Sequence, residues 1–115
     1  MGELGFSWDP KKARSNERKH GVSFEEARTV FSDDYGLLLD DSEHSEREAR
    51  FLLLGLSSSL RILVVSHTLR DADTIRIISA REASTSENRQ YLERLEQLRK
   101  STIFRKQSGI LMLRV

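Results

Sequence analysis

Three β-rich runs that follow one another with only short turns between them constrain the fold of this chain most. They are Arg50 to Leu56, Arg61 to Leu69 and Thr74 to Ala80. Ser57-Ser58-Ser59 separates the first two runs and Asp71-Ala72-Asp73 the last two, and both segments are typical of turns. Strands joined by such short turns pair in antiparallel fashion. The central part of the chain therefore predicts an antiparallel sheet.

Two helices are predicted before these strands. Asp9-Pro10 favours a helix start, because Asp caps free amides and Pro suits the first helical position, and Gly21 suits the residue after the helix. Ser23 and Glu26 have the spacing of a capping box, which predicts the start of a second helix. The apolar residues of that second helix recur at the helical period and are predicted to face the core: Phe24, Ala27, Val30 and Phe31.

A third helix and two short strands complete the predicted pattern. Ser84 with Glu87 forms another capping box, and an apolar stripe follows it. Short runs from Phe6 to Trp8 and from Tyr35 to Leu39 predict strands. This order predicts one α+β domain, with a small antiparallel sheet, two N-terminal helices and a C-terminal helix. We assign residues 1–100 to this domain and residues 101–115 to a C-terminal tail, which is basic and then apolar.

Composition excludes several classes of protein. A chain of 115 residues that is 37% hydrophobic suits a single modest core. It has no cysteine, and His20, His44 and His67 lack ligand-like spacing, so we expect neither a metal nor a cofactor. We find neither a signal peptide nor an apolar run of the ~20 residues that a membrane span requires. We therefore expect a cytoplasmic protein without membrane contact.

The charged residues are sorted along the chain although the net charge is only +1. The segment from Lys11 to His20 is mostly basic, and the segment from Asp33 to Glu48 is mostly acidic. Such a chain can present a basic face to nucleic acid, or its two segments can pair with each other. From composition alone, pairing is the better-supported of these two interpretations.

Arginines in the predicted strands are the strongest chemical signal. Arg76 interrupts an isoleucine-rich run that would otherwise suit a core strand. If the preceding turn is tight, Leu69 lies opposite Thr74 and His67 lies opposite Arg76, so that the imidazole and the guanidinium share one face of the sheet. A slip of one residue in this register would separate the two side chains.

An imidazole beside guanidinium groups can bind phosphate and stabilise the charge that develops during its transfer. A metal-independent ribonuclease needs these parts, namely a base, an acid and positive charge. We predict His67 as the acid or base, and three arginines as phosphate ligands: Arg70, Arg76 and Arg81. Four further cations are predicted to bind the RNA backbone: Lys11, Lys12, Lys19 and Arg61. A structural ion pair between Arg76 and a carboxylate such as Glu48 is an equal alternative.

Several segments resemble the BrnT-type toxins of bacterial type II toxin–antitoxin modules. Two of them, KHGVSFEEA from Lys19 to Ala27 and RIISAR from Arg76 to Arg81, are specific to the family when they occur in this order. The other matching residues are Phe6 to Pro10, Ala13, Asn16, Val30-Phe31, His44-Ser45, Glu48, Arg50, Thr68 to Arg70 and Tyr91. The resemblance therefore spans most of the chain before the tail.

The resemblance implies a RelE-like fold and a ribonuclease that inhibits translation. It also implies neutralisation by a BrnA-like antitoxin with a ribbon-helix-helix domain, so that operator DNA is bound only through the antitoxin. Two other classes compete with this expectation. One is a non-enzymatic interaction module that acts as a co-repressor with a DNA-binding antitoxin. The other is a metal-dependent nuclease, which needs clustered carboxylates and would lose its activity in EDTA.

Overall fold

The computed structural model describes the backbone of residues 4–107 and the side chains of residues 4–101. Within this range the strands and helices follow the predicted order. The strands are β1 (Gly5–Ser7), β2 (Leu37–Asp40), β3 (Phe51–Leu56), β4 (Ile62–Arg70) and β5 (Thr74–Glu82). The helices are α1 (Pro10–His20), α2 (Phe24–Thr29) and α3 (Thr85–Gln107), with a short 3₁₀ turn at Val30–Ser32 after α2 and another at Ser42–His44.

The five described strands form one sheet in the order β1-β5-β4-β3-β2. Strands β2 to β5 pair in antiparallel fashion with their neighbours, as the turns between them predict. The short strand β1 instead pairs parallel to β5, with Phe6 opposite Ile75. The α+β class and the arrangement of the helices are confirmed.

The predicted helix starts are present, with one difference in α2. Asp9 accepts a hydrogen bond from the Lys11 amide (2.9 Å), and Gly21 ends α1 with a positive φ of 70°. Ser23 accepts from the Glu26 amide (3.0 Å), but the Glu26 carboxylate accepts hydrogen bonds from Ser57 and Arg61. This capping box is therefore only half formed, because a tertiary cation draws the carboxylate away.

Each face of the sheet carries its own apolar cluster. Helices α1 and α2 cover the face that contains Leu63, Val65 and Ile77, which we call the α1–α2 face. Helix α3 covers part of the opposite face, which contains Leu54 and Val64 and which we call the α3 face. The predicted core of α2 is confirmed on the α1–α2 face: Phe24, Ala27 and Val30 are buried, and Phe31 packs against them half-buried.

Helix α3 passes the predicted domain boundary at residue 100 and continues to Gln107. The apolar end of the predicted tail, residues 108–115, lies outside the described residues. None of the helices in the described part of the chain is long and apolar enough to cross a membrane.

Candidate active site

The hairpin of β4 and β5 fixes which side chains share a face. Arg70 pairs with Thr74, Thr68 with Arg76 and His67 with Ile77. The predicted pairing of His67 with Arg76 is wrong by one residue, because the turn contains only three residues and Asp71 adopts a positive φ of 58°. His67 and Arg76 therefore lie on opposite faces of the sheet.

His67 lies on the α1–α2 face within an aromatic pocket. Only 4% of its surface is exposed, and its ring centroid is 4.8 Å from that of Phe31 and 6.0 Å from that of Phe51. Its Nδ1 donates a hydrogen bond to the Val65 carbonyl oxygen (3.1 Å). Burial lowers the pKa of this imidazole, because the charged form would lose its hydration. This environment favours a neutral core histidine, and its catalytic role stays a prediction that the geometry does not support.

On the α3 face, Thr68 and Arg76 lie side by side. Thr68 is fully buried, and its hydroxyl has no hydrogen-bond partner among the described residues. Arg76 is half-buried and makes no ion pair with any side chain that the structure describes. The alternative that Arg76 pairs with Glu48 is wrong, because Glu48 contacts Arg70. An unpaired cation and an unpaired hydroxyl thus meet at one point of the sheet.

Two further arginines surround this point. Arg70 lies two residues after Thr68 and therefore on the same face, and its NH2 is 3.2 Å from Glu48 Oε1. Arg50 immediately precedes Phe51. Since Phe51 pairs with His67 in an antiparallel register, Arg50 is level with Thr68. Arg50 is half-buried and has no ion pair within residues 4–101. Arg50, Arg70 and Arg76 therefore occupy positions beside Thr68 on the α3 face, and we call these three residues the arginine cluster.

The segment before β3 closes one side of this cluster. His44 Nδ1 donates to the Asp41 carboxylate, 3.1 Å from each oxygen. The segment folds onto β3 through Ser45, whose hydroxyl donates to the Asp41 carbonyl (2.6 Å) and accepts from the Arg50 amide (3.0 Å). His44, Glu48 and Arg50 line one hollow of about 320 Å³. The hollow adjoins the arginine cluster at two residues, namely Arg50, which lines it, and Glu48, whose carboxylate contacts Arg70.

Arg81 lies on the α3 face opposite Val64, but its guanidinium is engaged. It donates to both oxygens of Glu87 at 2.8 and 3.0 Å. The hydrogen bonds from Arg81 lower the pKa of Glu87 to about 2, and the same contact raises the pKa of Arg81. Glu87 also accepts from the Ser84 amide, so the predicted capping box of α3 is complete. Arg81 therefore links β5 to the start of α3.

Arg61 is also engaged, at the opposite end of β4 from Arg70. Its guanidinium donates to Glu26 (2.6 and 3.0 Å), to Glu82 (2.8 Å) and to the Gly21 carbonyl oxygen (3.0 Å). These bonds join the end of α1 to α2 and β5. They use most of the donors that RNA contact would require. The predicted RNA-binding role of Arg61 therefore has no support from its geometry.

Helix α1 lies on the other face from the arginine cluster. Its buried Asn16 donates to the carbonyl oxygens of Val22 (3.0 Å) and Ala80 (2.8 Å) and accepts from the Ala80 amide (3.1 Å). Asn16 therefore holds α1 to β5, whereas His20 at the end of α1 is exposed. The lysines predicted to bind RNA are all exposed on α1: Lys11, Lys12 and Lys19. They are separated from Arg76 by the sheet.

Arg50 and Thr68 were not among the predicted site residues. The missed signal is the alternation in β4, where Ser66 and Thr68 are polar residues at buried positions. Counting this alternation back from an Arg70–Thr74 pair groups Thr68 with Arg76. Within the described residues, no group of three or more His, Asp or Glu side chains is arranged to hold a metal ion.

Comparison with known proteins identifies one family and one related fold. The family model described as the ribonuclease toxin BrnT of type II toxin–antitoxin systems matches residues 8–87. A crystal structure of the Brucella abortus ribonuclease toxin BrnT matches with a TM-score of 0.56 and 23% identity. That match covers 71% of this chain and 99% of the Brucella chain, and it supports the fold. A search of curated proteins found no match.

Proposed function

The chain belongs to the BrnT family of ribonuclease toxins of type II toxin–antitoxin systems, and from this premise we propose that it cleaves RNA on the α3 face of its sheet, at Arg76. The proposed substrate is an RNA phosphodiester, whose non-bridging oxygens accept hydrogen bonds from guanidinium groups. The observation that carries the proposal is the pairing of Thr68 with Arg76, because neither side chain has a polar partner among the described residues.

The energetics of Thr68 support a ligand at this position. A buried hydroxyl without a partner destabilises a protein by about 1–3 kcal/mol. A phosphate oxygen held by Arg76 would accept a hydrogen bond from the Thr68 hydroxyl, and this bond would remove the penalty in the complex. The binding of substrate would thus satisfy a group that the free protein leaves unsatisfied.

The positive charge of the cluster supports cleavage without a metal ion. The phosphorus centre gains negative charge on its equatorial oxygens as the 2′-oxygen attacks, and fixed cations stabilise that charge. Arg50, Arg70 and Arg76 provide three such cations on one face. We assign phosphate binding to Arg76, with Arg50 and Arg70 beside it. Arg81 is assigned a supporting role through α3, because Glu87 already occupies its guanidinium.

In the cell, cleavage of messenger RNA in the cytoplasm would inhibit translation. A BrnA-like antitoxin with a ribbon-helix-helix domain would neutralise the toxin by covering the arginine cluster, and operator DNA would be bound only through that antitoxin. The support for this part is membership of a toxin–antitoxin family. Coexpression of the antitoxin should restore translation, and an antitoxin complex that still cleaves RNA would contradict the covering of the site.

The test compares Arg76→Ala with Arg89→Ala, which removes an exposed arginine of α3. Arg76→Ala should reduce the RNA cleavage rate at least about tenfold, which corresponds to about 1.4 kcal/mol of transition-state stabilisation. Arg89→Ala should cleave at the parental rate, and both variants should keep the parental melting temperature. EDTA should leave cleavage unchanged. Equal activity of all three proteins would refute the site, and loss of activity in EDTA would refute metal independence.

A further inference from the structure

The segment between β2 and β3 contains titratable groups that the proposed phosphate site does not use. His44 lies in its 3₁₀ turn, Ser42–His44, and Glu48 lies just before Arg50. His67, the imidazole predicted for proton transfer, is excluded from the α3 face by the register of β4. A ribonuclease that lacks a metal still needs an acid and a base. The hollow beside the arginine cluster is lined by both types of side chain, the His44 imidazole and the Glu48 carboxylate.

We propose that His44 and Glu48 transfer the protons of RNA cleavage, His44 as the general acid and Glu48 as the general base. This inference rests on the proposed function, because it assigns the chemistry of the same site. It replaces the predicted role of His67 with an imidazole that is open to solvent and lines the hollow.

The geometry of His44 suits an acid. The Asp41 carboxylate is mostly buried, with 14% of its side chain exposed, and it holds Nδ1 of an imidazole that is 62% exposed. A carboxylate that accepts from one ring nitrogen fixes the orientation of the ring. The other nitrogen, Nε2, is then left to donate a proton to a bound molecule. Ser45, the next residue, accepts from the Arg50 amide and ties the segment that carries His44 to the start of β3.

The geometry of Glu48 suits a base. Its Oε1 is 3.2 Å from Arg70 NH2, and the side chains of both residues are about half exposed. The ion pair places the carboxylate at the edge of the arginine cluster and leaves its second oxygen, Oε2, without a hydrogen bond in the described structure. That oxygen can accept the proton of a ribose 2′-hydroxyl whose phosphate lies on Arg76.

The proposed step balances without a co-reactant. Glu48 accepts the proton of the 2′-hydroxyl while the 2′-oxygen forms a bond to phosphorus. The bond between phosphorus and the 5′-oxygen breaks, and its electron pair stays on that oxygen, which receives a proton from His44. The products are a 2′,3′-cyclic phosphate and a free 5′-hydroxyl. Between turnovers Glu48 loses its proton to water and His44 takes one up from water, which restores the starting protonation states of both side chains.

A substrate with a sulfur leaving atom separates the two roles. In RNA with a 5′-bridging phosphorothiolate, the departing sulfur needs no proton, so the general acid is dispensable. His44→Ala should cleave ordinary RNA about 100-fold more slowly than the parent, within the range typical of a lost acid, and should cleave the phosphorothiolate at nearly the parental rate. Glu48→Gln should be slow on both substrates, because the 2′-hydroxyl still needs a base.

His20→Ala and Glu25→Gln are the matched controls, since each changes an exposed side chain on the far side of the sheet. Both should keep the parental rates on both substrates. The inference is overturned if His44→Ala cleaves ordinary RNA like the parent, or if it is equally slow on both substrates. If Arg76→Ala is inactive while His44→Ala and Glu48→Gln are unaffected, the phosphate site stands and this inference alone fails. If Arg76→Ala is unaffected while His44→Ala shows the predicted rescue, the acid stands and the phosphate site fails.

Discussion

At the scale of single residues, the α3 face is notable for polar groups that the fold leaves without partners. Buried polar groups are normally paired, and Asn16 follows this rule with three hydrogen bonds. Thr68 departs from it, and its neighbour Arg76 also has no polar partner in the described structure. Buried polar groups without hydrogen-bond partners are expected mainly at functional sites. The contrast between Asn16 and Thr68 separates a structural polar residue from a candidate binding residue.

Thr68→Val tests this distinction. The variant removes an unpaired hydroxyl and keeps the shape of the side chain, so the free energy of unfolding should stay constant or rise by about 1 kcal/mol. RNA cleavage should fall several-fold. Thr29→Val provides the contrast, because the Thr29 hydroxyl donates to the Glu26 carbonyl and accepts from the Ser58 amide. That variant should lose stability and keep its activity when folded. Denaturant unfolding and cleavage assays on the same preparations would decide, and a destabilised Thr68→Val would contradict the assignment.

Asn16→Ala should destabilise the protein by about 3 kcal/mol, because it leaves buried backbone groups of Val22 and Ala80 without partners. The neighbouring exposed Ser15 gives the control, and Ser15→Ala should change the free energy of unfolding by less than about 0.5 kcal/mol. Urea unfolding measures both values. Equal stability of the two variants would show that Asn16 does not hold α1 to β5.

At the scale of elements, the sequence predicts the strands and helices well but not their register. Caps and turns are local signals, so Asp9, Ser23 and Ser84 mark the helix starts correctly. The pairing of His67 depends on how the chain turns at Asp71, because the register is regular from Arg70 to His67 and shifts only beyond that point, between His67 and Ser66. A change of one residue there moves a side chain to the other face. The residue opposite Arg76 was therefore mispredicted, as His67 instead of Thr68, although each strand was predicted.

The link between β5 and α3 gives a pH-dependent stability. Hydrogen bonds from Arg81 lower the pKa of Glu87 from 4.5 to about 2. A carboxyl whose pKa is lower in the folded protein stabilises the fold above its unfolded pKa, and this contribution disappears as the pH falls through the folded pKa. Glu87→Gln should therefore be less stable than the parent at neutral pH. The difference in their melting temperatures should shrink as the pH decreases from 4.5 toward about 2. A difference that is independent of pH would contradict this account.

At the scale of the whole molecule, the sheet separates two sets of cations. The arginines around Thr68 lie on the α3 face, while Lys11, Lys12 and Lys19 are exposed on α1 behind the other face. Composition favoured pairing between the basic segment from Lys11 to His20 and the acidic segment from Asp33 to Glu48, but the ion pairs of Arg61, Arg70 and Arg81 do not join these two segments. Composition could not indicate which cations stay unpaired, because the pairing depends on tertiary contacts between distant segments.

Replacing the three α1 lysines with glutamine tests whether α1 contributes to RNA binding. The predicted result is a weaker affinity and a flatter dependence of the affinity on salt, because fewer counterions are released on binding. The rate at saturating RNA should stay at the parental value, since the lysines lie behind the sheet. Affinity titrations of the parent and of the variant over a range of salt concentrations measure the slope of each protein. An unchanged slope would show that α1 does not bind RNA.

The central claim is that RNA lies on the α3 face of the sheet, and methyl NMR with a 2′-O-methyl RNA that cannot be cleaved tests it most directly. Thr68 and Leu52 carry methyl groups on that face, whereas Val65 and Ile77 carry methyl groups on the α1–α2 face. The account predicts that RNA shifts the resonances of Thr68 and Leu52 and leaves those of Val65 and Ile77 in place. Shifts confined to Val65 and Ile77, with Thr68 unchanged, would contradict it.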